Sequence, residues 1–68
     1  SRVEFFVKTQ KHVEEISRLV SKSGSTEITI VLNKDEKKKL VFKLQNKRFL
    51  DRKSLNLIKN EQIKALIL

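Results

Sequence analysis

Hydrophobic and polar positions alternate in three stretches of the chain. Val3, Phe5 and Val7 alternate with Glu4, Phe6 and Lys8, a period of two that predicts a strand. Thr9 follows, where its hydroxyl can accept hydrogen bonds from the free amides of a helix start. Val13, Ile16, Leu19 and Val20 then recur on one helical face. Lys22 suits the negative end of that helix, and Gly24 is expected to close it in the left-handed backbone conformation. Ile28, Ile30 and Leu32 alternate with Thr29, Val31 and Asn33, a second strand. Leu40, Phe42 and Leu44 alternate with Val41 and Lys43, a third. The charged run Lys34-Asp35-Glu36-Lys37-Lys38-Lys39 lies between them and reads as the exposed loop of an antiparallel hairpin. Asp51 is the next capping candidate, and Leu55 with Ile58 gives a short helix its inner face. Arg48 to Leu50 leaves room for an extra short strand. Ile63 to Leu68 reads as the last strand.

The order strand, helix, strand, strand, helix, strand predicts an α+β fold. One sheet carries both helices on one face, a two-layer β-α-β-β-α-β sandwich of the ferredoxin-like type. Right-handed crossovers would put the helices on the same side. No linker or repeat divides residues 1–68, so a single small domain is expected. The alternation also says what the open face carries. Glu4, Phe6 and Lys8 come from the first strand, Thr29, Val31, Val41 and Lys43 from the hairpin, and Lys64, Leu66 and Leu68 from the end. Phe6, Val31, Val41, Leu66 and Leu68 thus form an apolar group away from the helices. Such a group is either a partner-docking surface or ground covered by another part of a longer chain.

Composition narrows the function classes. A chain of 68 residues buries only about 60% of its unfolded surface, which leaves no room for a deep catalytic cleft beside a core. The formal net charge is +8, and twelve of the sixteen basic residues are Lys. With Asn and Ile also plentiful, that is the bias of an AT-rich genome and a solvated surface. The alternative is attraction to a polyanion or an acidic partner. Cysteine is absent, which excludes disulfides and thiolate metal sites. No apolar run approaches the roughly 20 residues of a membrane span, and no signal-peptide pattern opens the chain. It begins at Ser1 rather than Met, so a fragment of a longer protein is expected.

Candidate chemistry is sparse. His12, the one histidine, has no Ser, Cys or Asp fixed beside it and reads as a surface residue. Glu14 and Glu15 are adjacent and point in different directions, and Asp35 and Glu36 sit among lysines. Neither pair is a placed acid/base couple. No carboxylate cluster suits a divalent cation, and one glycine cannot build a phosphate loop. No catalytic, cofactor-binding or metal-binding residue is therefore assigned. For nucleic acid, the open face offers a single aromatic platform, Phe6, and lacks the glycine- and aromatic-rich signature of RNA-binding sheets. At most weak, nonspecific binding is expected.

Taken in order, these segments resemble the C-terminal part of the alpha subunit of bacterial DNA polymerase III, in its alphaproteobacterial form. Val3-Glu4-Phe5-Phe6-Val7 matches that family's aliphatic-x-aliphatic-aromatic-Val strand, and the helix through Ile16 and Leu19 its next element. Gly24 to Leu32 matches a small turn followed by Glu-Val-x-Leu-Val-Leu. Leu40-Val41-Phe42-Lys43-Leu44 matches Val-x-Ile-x-Leu. Asn46-Lys47-Arg48-Phe49 stands in place of a Gly-Arg-Tyr-like turn, without its glycine, and Glu61-Gln62 in place of a Pro-Gly.

The resemblance implies a parent DNA-directed DNA polymerase whose catalytic carboxylates lie far upstream. It implies that this region is non-catalytic, follows an oligonucleotide-binding barrel and contacts the clamp-loader tau subunit, in the bacterial cytoplasm. The site expectation joins residue pattern to resemblance. Phe6, Val31, Val41, Leu66 and Leu68 are the apolar contact, Lys43 and Lys64 the attraction, and tau or the polymerase's own upstream domains the partner. Two competing readings are an independent basic nucleic-acid-binding domain and a ferredoxin-like small-molecule regulatory domain.

Overall fold

The computed structural model describes residues 2–35, 37–58 and 63–68. Its elements are β1 (Arg2–Val7), α1 (Gln10–Leu19), β2 (Ser23–Asn33), β3 (Lys39–Lys43), α2 (Arg52–Ile58) and β4 (Lys64–Ile67). The four strands form one mixed sheet in the order β3-β2-β1-β4. β1 and β2 are parallel neighbours, and β3 and β4 are the antiparallel edges. The fold is α+β, a sheet with a helix layer on one face.

The strand order departs from the ferredoxin-like pattern, in which a third strand separates the two joined by the first helix. Here β1-α1-β2 is an unsplit unit of adjacent parallel strands. The hairpin could have placed β3 on either side of β2, because alternation fixes a strand's faces and not its neighbours. Length and charge decide. β2 runs for 11 residues and is buried on both faces through Ile30, Val31 and Leu32, as a central strand should be. β3 has 5 residues with Lys at each end, a composition suited to an edge.

The core lies between sheet and helices. Val3, Phe5 and Val7 of β1 meet Ile28, Ile30 and Leu32 of β2 in register. Val13, Ile16 and Val20, with Ile58 and Ile63, close it from above. Leu19 does not join them. It is 50% exposed, because at about 100° per residue it stands about 60° to one side of Ile16 while Val13 and Val20 stand to the other. The helix layer is also too short to cover the edge strands. Leu40 on β3 and Ile67 on β4 point to the helix side, yet both are exposed.

Both helix starts follow the expected chemistry. The Thr9 hydroxyl accepts the His12 amide at 3.3 Å. The Asp51 carboxylate accepts the Ser54 amide at 2.7 Å, and this bond holds its pKa below the ordinary carboxylate value. The end of α1 differs from expectation. No glycine takes a left-handed conformation, and Gly24 lies inside β2. Its role is close approach. The segment 47–49 crosses the start of β2, with the Gly24 amide bonded to the Lys47 carbonyl and the Phe49 amide to the Lys22 carbonyl. A Cβ on Gly24 would collide with the Phe49 backbone. The cation serving the helix terminus is Arg48, not Lys22. Its guanidinium donates to the Val20 carbonyl at 3.1 Å. The extra strand anticipated around Arg48 takes the form of isolated bridges from Arg48 to Ser23 and Thr26.

Candidate docking surface

The pairing register lays out the open face as rows running across the sheet. One row is Val41–Val31–Phe6–Lys64, from β3 through β2 and β1 to β4. The next is Lys43–Thr29–Glu4–Leu66. Leu68 donates its amide to the Arg2 carbonyl at 2.8 Å, which continues the β4 pairing and sets Leu68 opposite Arg2. All seven expected contact residues, Phe6, Val31, Val41, Lys43, Lys64, Leu66 and Leu68, therefore occupy the face that carries no helix.

Their exposure is uneven. Val41 is 61% exposed, and Leu66 and Leu68 are about half exposed. Phe6 is half-buried. Val31 corrects the expectation of an accessible apolar group, for it is buried while standing outside the helix-side core. In the middle of the sheet it is flanked by Phe6 and Val41 on paired strands. Val31 supports the patch from beneath, while Phe6, Val41 and Leu66 form its surface.

Beside this row lies a hollow of about 310 Å³, lined by Phe6, Val7, Lys8, Val31, Asn33, Lys39 and Lys64. Its lining joins the apolar Phe6, Val7 and Val31 to the cations Lys8, Lys39 and Lys64. A second depression, of about 570 Å³, is lined by Lys34, Lys37, Lys38, Lys39 and Leu40. Asp35, the acid described in that loop, is occupied at home. Its carboxylate accepts the amides of Lys37 and Lys38, both at 2.8 Å. Glu36, and the Glu61-Gln62 step, lie outside the described residues.

Sequence reasoning missed a second apolar group. Leu19 and Phe49, each 50% exposed, line a depression of about 400 Å³ with Arg18, Ser21, Lys22, Asp51 and Ser54. The off-face angle of Leu19 was the available signal; the position of Phe49 depends on a chain crossing that periodicity does not encode. His12 is half-buried, and its Nδ1 has no hydrogen-bond partner. Among the described residues no group of three His, Asp or Glu is placed to hold a metal ion, and no helix is long and apolar enough to cross a membrane.

Comparison with protein-family models, curated proteins and solved structures gave no match.

Proposed function

We propose that this domain is a non-catalytic docking module whose contact surface is the open sheet face. In this reading it belongs to the C-terminal region of a bacterial replicative DNA polymerase alpha subunit and tethers the polymerase, in the cytoplasm, to the clamp-loader tau subunit. The observation that carries the docking role is the apolar row Val41–Val31–Phe6, with Leu66 in the next row, on a face without a helix. Isolated exposed apolar side chains are ordinary; a contiguous group on one sheet face is the usual mark of a contact. The choice of partner rests on the resemblance in segment order described above. Lys43 and Lys64 border the apolar group, where they would speed association with an acidic partner more than they deepen affinity.

The test is a titration of the isotope-labelled domain with the C-terminal region of tau, following backbone amide signals. The signals expected to move belong to β1, β3 and β4 at Phe6, Val41 and Leu66. Phe6→Ala should weaken the complex by more than about 1 kcal/mol, as a large central anchor does, and Lys43→Ala should mainly alter its salt dependence. Movement confined to α1, α2 or the 34–39 loop would reject the sheet face. No movement at all would reject tau and favour the polymerase's upstream domains as the partner.

A further inference from the structure

The lysines of this chain are not evenly spread. Lys39 and Lys64 come from the two edge strands and Lys8 from just beyond β1, yet all three line one hollow. Lys39 also lines the second depression, with Lys34, Lys37, Lys38 and Leu40, so the two meet at Lys39. Six cations therefore share one end of the sheet. The single acid described there, Asp35, is held by loop amides. The adjoining first turn of α1 carries no acidic residue. Among the described residues these six cations outnumber the one acid, and placing like charges together costs free energy that a bound polyanion would lower.

The floor of the hollow indicates which polyanion. Phe6 presents the one ring on this face, half-buried and braced by Val31. Asn33 stands beside it with an amide that can both donate and accept hydrogen bonds. A flat apolar surface, an adjacent amide and a cationic rim suit the base, base edge and phosphates of a nucleotide. Lys, a compact point charge with three donors, can pair with phosphate oxygens along such a backbone. Extent argues for a chain over a mononucleotide. From β4 to β3 the rim crosses four strands, roughly 14 Å at about 4.8 Å per strand, and then continues along the hairpin loop.

We propose that this end of the open face binds single-stranded nucleic acid without strong sequence preference, with a base on Phe6 and the backbone along Lys64, Lys8, Lys39 and the hairpin lysines. The site adjoins the docking patch and shares Phe6, Val31 and Lys64 with it. It does not involve Leu66 or Leu68, which separates this proposal from the tau reading. Failure here would leave the tau titration untouched, and failure there would leave this site.

The test is fluorescence-anisotropy binding of the 68-residue chain to dT15, rU15 and a 15-base-pair DNA duplex between 50 and 200 mM salt. Both single strands should bind more tightly than the duplex, whose bases are already stacked. The triple substitution Lys8→Gln, Lys39→Gln, Lys64→Gln should lose about tenfold or more at low salt. It should also flatten the log–log salt slope by about 2, at roughly 0.7 per phosphate contact. Lys22→Gln, Arg52→Gln, Lys53→Gln removes equal charge elsewhere and should lose less than about threefold. Phe6→Leu should weaken single-strand binding about fivefold or more, as loss of one stacked base does, and leave duplex binding unchanged. Circular dichroism confirms that each variant is folded. Equal losses from the two triple substitutions would reduce the effect to net charge and overturn the site. So would indifference to Phe6→Leu, duplex binding as tight as single-strand binding, or a poly-glutamate peptide bound as tightly as dT15.

Discussion

The two faces of β1 are built from neighbouring residues and put to opposite uses. Val3, Phe5 and Val7 point to the helices and are at most 4% exposed. Glu4 and Phe6, one position away, point to the open side and are half-buried, with Lys8 exposed just beyond the strand. On β2 the contrast narrows. Ile28, Ile30 and Leu32 are fully buried on the helix side, and Val31 is buried on the other as well. The comparison separates two roles for apolar residues in a thin domain. On the helix side they hold the chain together. On the open side a buried Val31 supports an accessible surface that folding alone does not require. Substitutions on the first face should register as lost stability, and those on the second as lost contacts.

The largest expected effect lies in the first face. Ile16 is fully buried between α1 and the sheet, and Ile16→Ala should cost about 2–5 kcal/mol in urea unfolding followed by circular dichroism. Loss of under about 1 kcal/mol would mean that the helix layer is loosely held. Gly24→Ala comes next. Its added methyl would push against backbone that cannot rotate away, and overpacking of this kind costs about 1–3 kcal/mol. Hydrogen exchange at the Gly24 and Phe49 amides, which bond across this crossing, should accelerate with it.

Leu66→Ser tests the second face and should shift stability by no more than about 0.5 kcal/mol, since Leu66 is 45% exposed. A loss comparable to that of Ile16→Ala would erase the distinction between the faces. The smallest effect is at Asp51, which stands in solvent at the start of α2. Its folded pKa is lowered by the Ser54 amide, so the cap contributes above the unfolded carboxylate's pKa and fades as pH falls through the lowered folded value. Asp51→Asn should remove that acid-side dependence. The measurement is the urea midpoint against pH for both proteins, and parallel curves would refute the assignment.

Periodicity and capping chemistry alone determined the six elements, the inner residues of each strand, the two helix starts at Thr9 and Asp51, and the membership of the open face. These are local properties. A period of two assigns alternate side chains to opposite faces, and a capping oxygen reaches amides two or three residues on. What lay beyond the sequence required knowing which distant segments meet. The hairpin could have set β3 on either side of β2, and the length of β2 against the charge of β3 placed it at the edge. Gly24 has the chemistry of a helix terminator, but its place is set by the crossing of segment 47–49, and nothing local directs Arg48 to the Val20 carbonyl. The burial of Val31 and the rim of Lys8, Lys39 and Lys64 likewise depend on side chains brought together across strands. Alternation fixes the direction of a side chain but not its neighbours, and neighbours decide burial, close approach and the concentration of charge.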